Sequence, residues 1–281
     1  MPSLTASFHL TRYPVRLVPV ELVRFVTQRR TLAATPGLRF SRLLGTGRGS
    51  SMTLSADLRR WALFAVWDDD EALTRFLAHS PVAHHWQRHG QETWSVGLEP
   101  LAAHGAWGGN NPLGHRHAPT GDVAPLAVLT RARIRPSKLA AFYRAVPAAD
   151  RRLAAAPGRI ASIGVGEAPV GRQATFSLGA SADAVSDFAY RAFTDGASAD
   201  STDGDDDHRR IVARTRAEGW YAEELFARFR PYRSEGTWAG TDPLSPGCDN
   251  TASGGAGDPP KGGGDEMSPG FDTGTTGHRM P

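Results

Sequence analysis

The chain has 281 residues, 40% of them hydrophobic and 22% charged, enough to bury one large or two small cores. Its 32 basic residues are nearly all Arg, the only Lys being Lys138 and Lys261, and Cys248 is its one cysteine. Neither Lys belongs to a glycine-rich phosphate loop, and a single cysteine excludes disulfide frameworks, cysteine-held zinc or iron–sulfur, and a CxxCH haem attachment.

In chain order, the first half reads as a strand over about Ser7–Leu17 and a helix over about Pro19–Ala34. Strands Arg39–Leu44 and Arg60–Val66 follow, then helices starting at Asp70 and Pro81, and a strand at Ser95–Leu101. A Pro/Gly-flanked linker, 114–125, carries His115 and His117, both expected to be solvated. The second half opens with a strand at Leu126–Arg135 and a helix from Pro136, whose Leu139, Ala140, Phe142, Tyr143 and Val146 are spaced at about 3.6 residues. Two strands, Ile160–Val165 and Ala174–Leu178, and two helices, Ala182–Phe193 and His208–Gly219, lead to a strand or helix–strand transition at Leu225–Tyr232. Between those helices, Asp195–Asp207 holds six Asp and no base and reads as a solvated loop. Residues 245–281 hold 10 Gly and 5 Pro and read as a disordered tail. The tail includes His278.

Self-comparison reveals a repeat. Leu10-Thr11-Arg12 recurs as Leu129-Thr130-Arg131, Pro36-Gly37 as Pro157-Gly158, and Gly105-Ala106-Trp107 as Gly236-Thr237-Trp238. Each half therefore reads βαββαβ, the ferredoxin-like order, whose four-stranded sheet carries helices on one face only. The expected fold is α+β: two tandem ferredoxin-like repeats, residues 1–113 and 126–244, packed into a pseudo-symmetric barrel of the dimeric α+β barrel type. A cavity between the two sheets is the expected small-molecule site.

Without the tail and the acidic loop, the formal charge of +3 becomes +12. An Arg-rich composition explains this, and so does attraction to an anionic membrane surface; no nucleic-acid motif is present, and none is expected as a partner. No apolar run is long enough to span a membrane, and residues 1–10 lack a signal-peptide pattern, so the expected location is cytoplasmic. The glycine-rich stretches Gly45–Gly49 and Gly164–Glu167 lack the βαβ context of a dinucleotide fingerprint and read as turns. His85 and His89, at i and i+4, share a helix face, but no third metal ligand accompanies them and they read as solvated. His208 stands at a helix start. Trp94, Trp107, Trp220 and Trp238 occur in both halves and read as core.

Leu129-Thr130-Arg131-Ala132, Ile163–Pro169, Gln173–Ser177, Glu218–Phe229 and Gly236-Thr237-Trp238 resemble the spheroidene monooxygenase family of carotenoid ketolases. Over residues 7–244 the first half is less similar; Trp61–Trp67, His79-Ser80-Pro81 and Trp107 carry the resemblance there. It implies a monooxygenase that inserts a keto group into an acyclic carotenoid, with haem b as cofactor, O₂, and an electron donor such as a ferredoxin. The apolar substrate implies peripheral association with the inner face of the membrane. By the family's motif His208 is the implied axial ligand of the haem iron, with Thr175, Ser177, Tyr190, Trp220 and Phe226 lining the cofactor site; the catalytic residues are unknown. Two other readings are a non-catalytic barrel that binds haem or a hydrophobic metabolite, and a cofactor-free barrel monooxygenase acting on an aromatic polyketide.

Overall fold

The computed structural model describes residues 3–48, 56–118, 123–144, 157–167, 170–181 and 219–245. His208, Tyr190, Cys248, the acidic loop, the tail beyond Ser245 and the two helices expected between 182 and 218 lie outside the described residues. The first half runs β1 (Thr5–Arg12), α1 (Val18–Ala33), β2 (Leu38–Gly47), β3 (Ala56–Trp67), α2 (Asp70–His79), α3 (Pro81–His89) and β4 (Glu92–Gly105). After a two-residue strand β5 (Arg116–His117), the second half runs β6 (Leu126–Ile134), β7 (Arg159–Gly166), β8 (Arg172–Gly179) and β9 (Tyr221–Gly236), with residues 139–144 helical after β6.

Local chemistry explains these boundaries. β1 was expected to reach Leu17 but ends at Arg12: Pro14 follows, and Val15–Leu17 form a single 3-10 turn into α1. The Asp69 carboxylate accepts the Ala72 N–H at the start of α2, and the Ser80 hydroxyl accepts the Val82 N–H at the start of α3, where Pro81 occupies the first turn. Of the two readings at Leu225–Tyr232, the strand holds throughout. β9 pairs with β4 on one side and β6 on the other, so nearly its whole length has hydrogen-bonding partners.

All pairings are antiparallel, and the strands follow one another around the sheet as β1-β3-β2-β7-β8-β6-β9-β4, with β4 returning to β1 to close an eight-stranded barrel. Both halves show the same internal order, β4-β1-β3-β2 and β9-β6-β8-β7, which is the ferredoxin-like arrangement. The halves join along the long β4–β9 seam and along a short one, where Gly45 faces Gly166 and Thr46 faces Val165. The glycine stretches expected as turns thus supply strand residues to this second seam.

The barrel interior is solid. Phe8 stacks on Phe176 with centroids 4.0 Å apart, Phe64 stacks on Trp107 at 5.6 Å, and Leu10, Val96, Leu129, Ile163 and Phe229 complete the buried cluster. The cavity expected between the sheets is therefore filled by large side chains that both sheets contribute.

Two turns brace the barrel ends. After β4, the Trp107 indole donates to Glu167 at 2.8 Å, and the N–H groups of Gly108 and Gly109 donate to Glu223 at 3.0 and 2.7 Å. Arg131, 3% exposed, pairs with both Glu167 and Glu223. Desolvation works against Glu223 ionising, but the two N–H donors and Arg131 outweigh it and hold its carboxyl below the usual range. After β9, Gly240 N–H donates to Glu92 at 2.7 Å, and Trp238 packs on Trp94 at 5.3 Å. Only glycine fits where these turns leave the strands: a Cβ on Gly105 would overlap the Glu224 carbonyl oxygen, and one on Gly236 that of Thr93.

Candidate functional site

Closing the barrel leaves each half-sheet a second face, turned away from the interior. In the first half this face is filled. Leu63, Ala65 and Trp67 of β3 pack against Leu32, Leu73, Phe76, Val82 and Trp86 from the three helices. Sequence reading passed over His9, which sits on this face beside Trp86 and Phe76, with ring centroids 5.2 and 6.1 Å away. Its Nδ1 lies 2.8 Å from Ser95 Oγ and its Nε2 2.8 Å from Ser7 Oγ, and the Trp67 indole also donates to Ser7 Oγ at 2.8 Å. Both ring nitrogens are thus occupied. The adjacent cavity, about 20 Å³, has room for about one water. The one available signal for His9 was its place in an alternating strand, on the side opposite Phe8.

Burial lowers the His9 pKa to about 3, so the ring is neutral in the folded protein. Unfolded, it titrates near 6.5. The native state then binds fewer protons than the unfolded one below that pH, so stability is complete above about 6.5 and declines as the pH falls towards about 3. The loss from this residue at pH 5 is about 2 kcal/mol. Denaturant melts at pH 7.5 and 5 should show the pH-dependent loss shrinking by about that amount in His9→Asn; an unchanged loss would show that His9 is protonated in the fold.

His85 is not solvated as expected. Its side chain, 9% exposed, meets Glu21 of α1 at 2.9 Å, while His89 is exposed. Desolvation lowers the His85 pKa against the opposing pull of Glu21. Among the described residues, no group of three potential metal ligands occurs.

The corresponding face of the second half is built differently. Strand alternation sends Ala174, Phe176 and Leu178 of β8 into the barrel, so Gln173, Thr175 and Ser177 point the other way. Cross-strand register sets Gly164, Thr175, Thr130, Phe226 and His104 in one rank, and Ser162, Ser177, Val128 and Arg228 in the next. Ser162 and Ser177 hydroxyls lie 3.0 Å apart, and the Phe226 ring stands 5.3 Å from that of His104. Thr175 and Ser177 are buried, at 8% and 4% exposure. The result is a floor of small, mostly hydroxylated side chains where the first-half strands have Leu43, Trp61 and Leu63.

One end of this floor carries an aromatic wall. Phe142, 6.4 Å from Trp220 and edge-on to it, packs with Ile134, Leu139, Tyr143 and Tyr221. Gln173 Nε2 donates to the Tyr143 hydroxyl at 2.6 Å, leaving its Oε1 buried with no partner. An acceptor so placed fits a ligand or water that can donate to it.

The structure therefore gathers Thr175, Ser177 and Phe226 on one face with Trp220 at its edge. It corrects their expected setting, since they turn away from the space between the sheets. His208 and Tyr190, outside the described residues, belong to the connection from β8 to β9, and both of those strands contribute to the floor.

No family model matches the chain. It is 34% identical over 242 residues to the spheroidene monooxygenase of Rhodobacter capsulatus, covering 85% of this chain and 95% of that protein. The spheroidene monooxygenase of Rubrivivax gelatinosus is 34% identical over 218 residues, with 77% and 78% covered; that of Cereibacter sphaeroides is 33% identical over 209 residues, with 74% and 60% covered. A crystal structure of aldoxime dehydratase matches with a TM-score of 0.50 at 10% identity, over 81% of each chain, a likeness of fold alone. With a third of its residues shared over nearly the whole length of the Rhodobacter capsulatus protein, the chain belongs to the spheroidene monooxygenase family.

Proposed function

We propose that the chain is a haem b-dependent monooxygenase that inserts a keto group into an acyclic carotenoid beside its methoxylated end. Family membership makes it an oxygen-using oxidoreductase, and the relatives' name supplies the carotenoid class of substrate. Turning a methylene into a ketone takes two successive oxygenations, each consuming one O₂, two electrons and two protons and releasing one water, before the geminal diol loses water. A donor such as a ferredoxin would supply the electrons.

The observation that carries the haem reading is the contrast between the two outward sheet faces. The barrel interior is packed with large side chains and the first-half strands carry Leu43, Trp61 and Leu63 on their outward face, whereas the equivalent second-half positions are Ser162, Thr175 and Ser177, beside Gly164, Thr130 and Val128. That floor fits a flat macrocycle, with Phe226 and Trp220 as apolar neighbours. Haem would supply the redox centre that O₂ activation requires. His208 would hold the iron through a neutral imidazole, Tyr190 would lie on the same connection, and Gln173 Oε1 would accept a proton donor at the edge.

A lipid-soluble polyene would bring the chain to a membrane surface, on this reading the inner face; among the described residues no helix is long and apolar enough to cross one. The test is the purified protein supplied with haem, reductant and an acyclic carotenoid. A Soret band that shifts on reduction, together with a ketocarotenoid product, is the expected result. Haem uptake without product would leave a binding protein, and product without a Soret band a cofactor-free enzyme; either outcome overturns the proposal.

A further inference from the structure

We infer that α1 is a membrane-docking element that lays its outward face on a bilayer of anionic phospholipid. The helix is turned in an unusual sense. Its inward residues Glu21, Phe25, Gln28 and Leu32 recur at helical spacing, and two of these four are polar. Glu21 is held there by His85 at 2.9 Å. The opposite side is apolar and open: Val20 is 53% exposed, Val23 67%, Val26 64% and Leu22 42%, with Val15 at 66% in the turn before. Five of the eight large hydrophobic side chains that the described residues expose lie on this one turn and helix. Scattered singly they would mean nothing, but clustered along one element they mark a contact surface.

Charge identifies the partner. Arg16, Arg24, Arg29 and Arg30 lie among these apolar residues, while Glu21, the one acid of α1, is buried and paired. A groove of about 720 Å³ opens at the C-terminal end of α1, lined by Arg29, Arg39, Arg42 and Arg172. Arg39 pairs with Asp68 and Arg42 with Glu167, whereas among the described residues no carboxylate pairs with Arg29 or Arg172. Apolar side chains ringed by guanidinium groups, those of α1 without a carboxylate partner among the described residues, match acyl chains beneath phosphate headgroups, the pattern of helices that lie in a membrane interface. A second copy fits less well, because two such faces would set eight arginines against one another.

The inference deepens the carotenoid reading, since a bilayer would hold that substrate, but its test uses neither haem nor carotenoid, so either idea can fail alone. The full-length protein is sedimented with phosphatidylcholine vesicles, with and without phosphatidylglycerol, at low and high salt. Binding is expected to need the anionic lipid and to weaken with salt. Val23→Asp/Val26→Asp should weaken binding by more than about tenfold with an unchanged thermal midpoint, because both side chains are exposed. Arg24→Gln/Arg30→Gln should weaken it by roughly 25-fold, about fivefold for each arginine. Equal binding to neutral vesicles, or wild-type binding by the Val23→Asp/Val26→Asp protein, would overturn the inference. So would a wild-type dimer that this double variant converts to a monomer, since α1 would then be covered by its own copy.

Discussion

His208→Ala is expected to retain some haem, to lose the imidazole-ligated spectrum, and to lower ketolase activity by orders of magnitude. On the proposed reading, removing the ring would remove the protein's bond to iron, while the macrocycle would still bury its apolar faces against the floor of Thr130, Thr175 and Phe226, so uptake would weaken without vanishing. Three Asp immediately precede His208 in the sequence. An imidazolium cannot ligate iron, so haem uptake by the wild type should fall as the pH drops, and that dependence should be absent in the variant. His85→Ala and His89→Ala are the controls. His85 is engaged by Glu21 beneath α1, and neither ring belongs to the second-half floor. A wild-type Soret spectrum in His208→Ala would show that another residue holds the iron.

Phe176→Ala is expected to destabilise the protein by about 3–5 kcal/mol, the usual cost of emptying a fully buried phenylalanine site. Phe176 comes from the second half and Phe8 from the first, and their stacked rings at 4.0 Å occupy the space between the sheets where a ligand cavity was expected. The thermal midpoint should fall by roughly 10 °C, at about 2–4 °C per kcal/mol for a domain of this size. Haem uptake should survive below that lower midpoint, because Phe176 points into the barrel and the floor lies on the other side of β8. Thr175→Trp, one residue away in sequence, should do the reverse and block uptake at little cost to the barrel interior. Identical effects of the two substitutions on uptake would place the site inside the barrel.

The sites of these two substitutions also separate what was legible from what was not. Among the described residues, element types and order were legible because their causes are local. Period 2 marks β8, period 3.6 marks the helix after Pro136, and Asp69 and Ser80 announce α2 and α3 through their own N-caps. Motifs such as Glu218–Phe229 were specific enough to point to the family, which the relatives bear out. Strand alternation also told that Thr175 and Phe176 face opposite ways, but a period of two does not say which side is inside.

That choice belongs to the tertiary structure. Phe176 is interior because β1 of the other half brings Phe8 against it, a contact between residues 168 positions apart in the sequence. The same distant packing hides His9 beneath Trp86 and draws His85 onto Glu21. It also explains why α1 turns its valines outward: pairing with His85 lets the inward side accept a carboxylate, and the apolar residues take the positions left over. By itself the sequence determined the order of the described elements, the ferredoxin-like strand plan and the family. Only closure of the barrel, through the β4–β9 and β2–β7 seams, decided which side of each strand faces the interior, because that depends on side chains supplied by the opposite half.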